Sequence, residues 1–470
     1  MRVLLVATYD LGRQPFGLAS PAAWLREDGF DVDMCDVSRT PLDWDAVGRA
    51  DAVAWFLPMH TATRLALPLM RRVRGARPGV LQIAYGLYAT SSASTLAAEG
   101  VTPIEGGEFE ESLRRVLRLA RSRSPHLGAE GPANGVTAAR PSIPRLTFRV
   151  PDRHGLPPLA RYARLRLHEG DRIVGYTEAS RGCKHACRHC PIVPVYDGQF
   201  RVIPVDVVRE DVRAQVEQGA RHITFGDPDF FNGIGHARRV VSMMRDQFAG
   251  VGFDVTIKVS HLLQHADELP TLARAGCLFV TSAVESVDDR VLERLDKGHT
   301  RGMFVAAVSH TRAAGLALAP TFVPFTPWTS LDGYADLLET IDSLDLVDHV
   351  APIQWAIRLL LPSGSRLLDL ADVAALVGPF DAERLVHPWS HPDPRVDQLC
   401  AEILDVVGHR IDSDRRAVFG EIAAVVDRAR NREAIRSILE TAAPRQAVEL
   451  EDEPRRSRAA VPYLTEPWYC

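Results

Sequence analysis

The sequence predicts an α/β protein in three parts: a doubly wound N-terminal domain, a partial (β/α)6 barrel and a helical C-terminal region. Three observations carry this. Short apolar runs alternate with amphipathic segments through residues 1–120 and again through 166–385, and strand–helix alternation is the pattern of parallel sheets. A Ser-, Pro-, Gly- and Arg-rich stretch, 121–165, separates the two runs as a linker does. From 386 to 470 helical patterns with Arg-rich surfaces take over, and Gln446–Arg458 reads as a charged, weakly structured stretch. A chain of 470 residues is long enough for two or three domains.

In the first part, Val3–Ala7 is a short apolar run that breaks into a polar loop at Thr8–Arg13. A helix over Ala19–Asp28 stops at Gly29. Phe30–Cys35 alternates like a second strand, Ala52–Leu57 ends at Pro58 as a third, and Val80–Gly86 is the fourth. Gly106-Gly107-Glu108-Phe109-Glu110-Glu111 opens a helix rich in Arg and Leu. This is a Rossmann-like order, whose ligands sit beyond the carboxyl ends of the strands.

In the second part, Ile173–Glu178 leads directly into a cysteine-rich loop, and Val205–Gln218 is helical. Further strands are expected at His222–Phe225, Phe253–Val259, Cys277–Ala283, Ala317–Pro324 and Pro352–Leu359. Six strand–helix units are too few to close an eight-fold barrel, so an open, three-quarter barrel is expected, with function at the carboxyl ends of its strands.

Composition excludes several classes. The chain is 46% hydrophobic and 24% charged, as soluble globular proteins are. A net charge of −5 gives no electrostatic reason to expect nucleic acid as a partner. No apolar run is long enough to span a membrane, and the opening Met1–Ala7 is too short for a signal peptide. A cytoplasmic setting, in which thiols stay reduced, is therefore expected. Basic residues are almost all Arg, which genomic base composition explains; the lysines are Lys184, Lys258 and Lys297.

The chemistry points to one loop. Cys183, Cys187 and Cys190 form Cys-x3-Cys-x2-Cys within Arg181–Pro191, and the chain has seven cysteines in all. Clustered thiols in a reducing compartment bind metal. Three ligands leave one metal position open, which suits a reactive site better than a closed structural one. A [4Fe–4S] cluster with one free iron fits this pattern. Zinc with His185 or His189 as fourth ligand is the alternative. Cys35, Cys277 and Cys400 lie in apolar or helical contexts and read as core residues.

Cys-x3-Cys-x2-Cys after the first strand of a β/α array resembles the radical S-adenosylmethionine (SAM) superfamily. The resemblance implies that SAM chelates the unique iron and is cleaved reductively at a carbon–sulfur bond, and that a flavodoxin- or ferredoxin-type donor supplies the electron. It implies a small-molecule or peptide substrate. His189 stands where members carry an aromatic before the third cysteine. Phe225-Gly226-Asp227-Pro228-Asp229 resembles the Gly-rich segment that holds the SAM amino group, with Asp227 replacing the second Gly and Pro228 the usual acid. Val284-Glu285-Ser286 resembles the ribose-contacting position, and Lys297-Gly298 follows as in many members. Lys258 and Arg358 are placed to meet a SAM or substrate carboxylate, or simply to line the barrel rim. Asp229 and Asp227 contact substrate or cap the following helix.

The N-terminal sheet resembles the cobalamin-binding branch of that superfamily, as do Ile104–Glu111 and Pro362-Ser363-Gly364-Ser365. The Asp-x-His-x-x-Gly motif that supplies a lower histidine ligand is absent. His60 follows the third strand without matching context and reads as a surface-loop residue. The sheet therefore either binds cobalamin without such a ligand or only packs against the barrel. The resemblance favours methyl transfer. Transfer of the 3-amino-3-carboxypropyl group of SAM to a thiol-bound metalloid is the second reading, and a non-enzymatic metal-binding or redox-sensing protein the third.

The end of the chain, Pro467-Trp468-Tyr469-Cys470, resembles the tail of radical SAM proteins that end in Cys, selenocysteine or Cys, then Ala-Glu-Pro, although it stops at the first Cys. On that resemblance Cys470 is a candidate catalytic thiol and the gene that of a selenoprotein. The codons after Cys470 test this, because a frame without Ala-Glu-Pro beyond the stop excludes it.

Overall fold

Alternate strand residues face opposite ways, so a strand covered on both faces reads as continuously apolar. The first strands do. In the computed structural model, β1 (Arg2–Ala7), β2 (Asp31–Asp36), β3 (Ala52–Phe56), β4 (Leu81–Tyr85) and β5 (Thr102–Pro103) form one parallel sheet in the order β2-β1-β3-β4-β5. The structure describes residues 1–104, 106–122, 143, 145–167, 169–408, 414–440 and 463–464. Val3, Leu5, Ala7, Ala54 and Phe56 face one core, shared with helices Phe16–Glu27 and Phe109–Ser122. Leu4, Val6, Val53 and Trp55 face the other, under helix His60–Ala76. The sheet is therefore doubly wound, as expected.

The second sheet runs β13-β12-β11-β10-β7-β6-β14. Its strands β7 (Gly170–Thr177), β10 (His222–Phe225), β11 (Gly252–Thr256), β12 (Cys277–Glu285) and β13 (Ala317–Phe322) are parallel. Two antiparallel strands extend the edge beside β7: β6 (Arg164–Leu167), then β14 (Tyr463–Leu464). A separate hairpin pairs β8 (Ser180–Gly182) with β9 (Phe200–Val202), and the cysteine loop is the excursion between them.

Outward residues such as Ile223, Phe225, Phe253, Val255 and Val280 join one large core with the surrounding helices. C-terminal helices Pro394–Gly408 and Arg415–Glu440 belong to the same core through Leu399, Ile403, Val418 and Ile422. Inward residues are polar: Asp254 accepts from Thr224 Oγ1 and pairs with His222 Nε2, each at 2.7 Å. The barrel is thus an open half-barrel with a polar interior, and helices cover its outside.

The predicted sixth strand, Pro352–Leu359, is not a strand. Pro352–Trp355 is a 3₁₀ turn, and a single bridge, Phe325 to Arg358, continues the parallel order. Proline lacks the N–H that a ladder needs, and the Arg358 side chain leaves the sheet to pair with Asp397 at 2.7 Å and lie 3.7 Å over the Trp389 ring. The sequence reading also missed β5, β6, β8, β9 and β14, which are short and carry no turn-flanked apolar run. His60 proves buried, with Nε2 2.7 Å from the Arg384 carbonyl oxygen, in place of the surface position expected for it.

Arg153 joins the two sheets from the connecting segment. Its guanidinium donates to both carboxylate oxygens of Asp211 (2.8 and 2.9 Å) and to Gln14 Oε1, all buried, and to the carbonyl of the partly buried Tyr176. Removing one partner of a buried pair leaves an uncompensated charge, which costs about 3–5 kcal/mol. Asp211→Ala should therefore lower unfolding free energy by about that amount in denaturant titration; a loss below about 1 kcal/mol, the range of a surface pair, would contradict this role.

Candidate active site

The cysteine loop is held before any metal enters it. Gly182 closes β8 with φ +77, a left-handed conformation that glycine adopts at no steric cost. A Cβ there would sit 2.4 Å from the Gln199 carbonyl oxygen and from the Tyr196 ring, so only glycine lets the hairpin close directly before Cys183. Asn232 Oδ1 accepts from Lys184 N at 3.2 Å. Arg188 N–H and guanidinium donate to the carbonyls of Leu295, Glu293 and Arg294. Cys183 and Cys187 are buried and Cys190 is partly so.

Burial pushes the Cys190 thiol up to about 12, with repulsion from Cys187 and Cys183 adding to it. Three thiolates gathered here need cations. Lys258 Nζ lies 3.5 Å from Cys187 Sγ. Lys297 is buried, which would lower its pKa, but Glu285 and the thiolates Cys187 and Cys190 hold it raised. Cys183 Sγ, a His185 ring nitrogen and an Asp229 carboxylate oxygen lie within 4.8 Å of one another; among the described residues no other trio of metal-binding side chains does. A zinc ion bound by all three thiols would hold them roughly 3.8 Å apart, from Zn–S bonds near 2.3 Å. The three cysteine sulfurs do not all lie within 4.8 Å of one another.

Glu285 closes β12 with φ +68. Its Oε1 is 3.1 Å from His189 Nε2 and 3.2 Å from Lys297 Nζ. Burial alone would raise this carboxyl, but Lys297 and His189 bring it down to about 2, so it stays ionised. His189, Glu285, Lys297, Lys258 and the three cysteines therefore form one polar cluster at the carboxyl ends of β7, β11 and β12. Ser286, next to it, accepts from Asp288 N at 3.1 Å.

Gly226, Asp227 and Pro228 follow β10 and line a cavity. A Cβ on Gly226 would meet Tyr176 Oη at 1.8 Å, so the glycine admits that ring. Asp227 accepts from Ala179 N (2.9 Å) and Ser180 Oγ (2.5 Å), which ties β10 to the start of the cysteine loop; burial raises its carboxyl to about 7. Asp229 is fully buried, 2.6 Å from His261 Nδ1 and 3.6 Å from His185 Nε2. Arg358 is not brought to this cluster, since it is engaged by Asp397 and Trp389. Cys470 lies outside the described residues, as does the stretch Gln446–Arg458.

The N-terminal domain meets the cysteine loop through Arg181, a residue that sequence reasoning did not single out. Its guanidinium donates to both oxygens of Glu110 (2.7 and 3.0 Å) and to Glu178 (2.6 Å), with Glu108 3.6 Å away. The rings of Phe16 and Phe109 flank it. Ser20 Oγ donates to Glu110 and Tyr196 Oη to Glu108. Burial raises Glu108 to about 7, against the pull of Arg181. The one signal in the sequence was the doubled acid pattern of Gly107-Glu108-Phe109-Glu110.

A cavity of about 320 Å³ spans the two domains. Asp10, Arg13, Met59, Gly86 and Gly107 line it at the carboxyl ends of the N-terminal strands, and Thr224, Asp254, Thr256 and Thr281 line it inside the barrel. No histidine is among its described lining residues. A smaller cavity of about 140 Å³ lies between His189, Cys190, Leu87, Thr90 and the Pro362–Ser365 turn.

Residues 177–330 match the model of the radical SAM superfamily, so this segment is a radical SAM domain. Over 196 residues the chain is 25% identical to a tRNA-2-methylthio-N(6)-dimethylallyladenosine synthase of Acidithiobacillus ferrooxidans, a match covering 37% of this chain and 41% of that protein. It is 25% identical over 148 residues to the bacteriochlorophyllide d C-12(1)-methyltransferase of Chlorobaculum tepidum, covering 31% and 32%. The chain thus spans well under half the length of these relatives. Among solved structures it resembles the cobalamin-dependent radical SAM enzyme OxsB with aqua-cobalamin and S-adenosylmethionine bound (TM-score 0.64, 13% identity, 87% of this chain and 67% of that one). It also resembles the methyltransferase TsrM of Kitasatospora setae with cobalamin and a [4Fe-4S] cluster bound (TM-score 0.55, 13% identity, 92% and 99%). At that identity the likeness is one of fold, and it spans both sheets.

The raised Glu108 carboxyl predicts a pH dependence. A group with a higher pKa folded than unfolded stabilises below its unfolded value, here 4.5, and loses that contribution as pH rises through about 7. Glu108→Gln should remove one proton's share of that decline, about 1.4 kcal/mol per pH unit at most. Denaturant midpoints of the variant and the parent should diverge in the variant's favour from pH 4.5 to 8; parallel profiles would contradict the assignment.

Proposed function

We propose that this protein is a radical SAM transferase whose N-terminal domain takes cobalamin, and that it moves a methyl group to a small-molecule or peptide substrate. The observation that carries the reading is the cavity joining the carboxyl ends of both sheets beside the three-cysteine loop.

The residues fit each group the reading requires. Cys183, Cys187 and Cys190 would hold a [4Fe–4S] cluster, with Lys258 and Lys297 offsetting its negative charge. Glu285, kept ionised, offers an acceptor for vicinal hydroxyls, and His189 offers a flat ring beside Cys190, where SAM would lie. Gly226, Asp227 and Pro228 line the larger cavity from the end of β10, and they and Ser286, next to Glu285, would add contacts to SAM. An apolar floor of Phe16, Phe56, Phe109 and Met59, rimmed by Asp10, Arg13 and Glu178, suits a broad ring with polar side arms such as a corrin. Together these groups supply one-electron cleavage of a carbon–sulfur bond and a methyl carrier.

The chain's own residues do the rest. Arg181 and the Glu108–Glu110 pair hold the two domains against each other, so the shared cavity is walled from both sides and bulk water is kept from a reactive species. Asp254, Thr224, Thr256 and Thr281 present hydrogen-bonding groups to whatever enters the barrel.

A second reading, transfer of the 3-amino-3-carboxypropyl group to an acceptor held by Cys470, has one supporting observation. β14 runs antiparallel to β6 and hence parallel to β7, toward the end that carries the cysteine loop. The residues Thr465–Cys470 that follow are long enough to reach about 20 Å when extended.

Anaerobic reconstitution with iron and sulfide, then SAM and dithionite, tests the proposal. About four irons per chain and formation of 5′-deoxyadenosine are expected, with cobalamin absorbance in the loaded protein. Cys190→Ala should lose the cluster and the product. Methylthioadenosine would favour the second reading, and a cluster without SAM cleavage would leave a metal-binding or redox-sensing protein.

A further inference from the structure

The interior of the half-barrel holds one acid whose charge nothing around it answers. Asp254 stands in the middle of β11, 7% exposed, and lines the large cavity. His222 Nε2 and Thr224 Oγ1, both on β10, each lie 2.7 Å from its Oδ1. The His222 ring is itself fixed: it is fully buried and stacked on Phe279, with centroids 6.1 Å and planes 5° apart. Gly252 leaves room for that ring, since a Cβ there would meet His222 Nδ1 at 3.0 Å. The carboxylate is thus held by one oxygen, and among the described residues nothing donates to Oδ2.

Two hydroxyls stand beside it. Thr256 lies two residues further along β11, on the same face as Asp254, and Thr281 is its register partner on β12. Both line the same cavity, and neither hydroxyl has a partner among the described residues. The nearby cations are committed elsewhere. Arg181 is taken up by Glu110, Glu178 and Glu108, Arg13 offsets Asp10, and Lys258 is turned to Cys187 at 3.5 Å. The other lining acids have partners too: Glu178 has Arg181, and Asp227 has Ala179 N and Ser180 Oγ. A buried polar group left unpaired is costly, so a ligand that completes this set is favoured.

We propose that Asp254, Thr256 and Thr281 bind a primary ammonium group of the substrate, which makes the substrate a small molecule carrying a primary amine. This deepens the transferase reading and rests on it. An ammonium has three donors and no acceptor, and three acceptors on two adjacent strands match it. Paired strands lie about 4.8 Å apart, and residues i and i+2 of one strand roughly 6.6 Å apart. The acceptors therefore sit at the corners of a triangle, which suits a tetrahedral cation better than the planar fork of a guanidinium. Held there by its amine, the substrate would extend toward the carboxyl ends of the strands, where the cysteine loop lies.

n-Butylammonium is the probe, with n-butanol and n-butylguanidinium as the neutral and planar comparisons. Binding to the full chain is read by ligand-observed NMR. The parent should bind n-butylammonium about tenfold more tightly than either comparison, as a charge-assisted hydrogen bond supplies. Asp254→Asn should remove that preference. Thr281→Val, which breaks no hydrogen bond among the described residues, should weaken ammonium binding severalfold. Asp332→Asn, on the outer surface and paired with Arg430, should change nothing. Cleavage of SAM by the reconstituted protein with dithionite, without amine, should run at the parent's rate in Asp254→Asn and Thr281→Val. A parent without preference for the ammonium, a preference that both variants keep, or SAM cleavage lost in both would overturn the anchor. A parent that shows the preference but cleaves no SAM would overturn the transferase reading and not the amine site.

Discussion

One buried guanidinium organises the contact between the two halves of this molecule. Arg181 stands two residues before Cys183, at 6% exposure, and its charge is shared among Glu110, Glu178 and Glu108. Three carboxylates around one cation leave the site short of positive charge, and burial pushes both Glu108, to about 7, and Glu178 up toward neutrality. The arrangement is therefore specific in a way that apolar packing is not. Only when the helix Phe109–Ser122 brings its start to β8 does Arg181 find Glu108 and Glu110, beside the local partner Glu178. Breaking such a set by deleting one member strands a charge in a dry place.

The rest of the site follows from that contact. β8 carries Arg181 on the N-terminal domain and Gly182 into the cysteine loop, so domain docking and loop geometry share a backbone. Asp227 continues the chain of constraint, because it holds Ala179 and Ser180 while sitting at the end of β10. Arg153 provides a second tie, from the connecting segment to Asp211 and Gln14. The cavity at the junction is what remains between two rigid sheets clamped at these points. Its walls come from strand ends of both, as expected of α/β folds that bind ligands beyond the carboxyl ends of their strands.

Much of this was legible in the sequence, and for identifiable reasons. Val3–Ala7 and Ala52–Leu57 read as strands because both of their faces are buried, which leaves no polar residue to confuse the pattern. The cysteine spacing was legible because three thiols in eight residues have few other uses. What was not legible depends on contacts distant in sequence. Arg181 looks like any other arginine in an Arg-rich chain until Glu108 and Glu110 are folded against it. His60 looks exposed until the Arg384 carbonyl arrives. Pro352–Leu359 has a strand's composition, but a proline at its start and an arginine drawn to Asp397 and Trp389 reduce it to one bridge. Short β8 and β9 have no pattern of their own; Gly182, whose left-handed backbone the hairpin needs, was their single trace.

The Arg181–Glu110 pair couples the N-terminal domain to the cysteine loop. Hydrogen exchange on Glu110→Gln, with iron content measured on the same protein, tests it most directly. Faster exchange is expected in two places at once, the helix start at 106–113 and the strand and loop at 178–190, with less iron retained after reconstitution. Faster exchange confined to 106–113, with iron content unchanged, would contradict it.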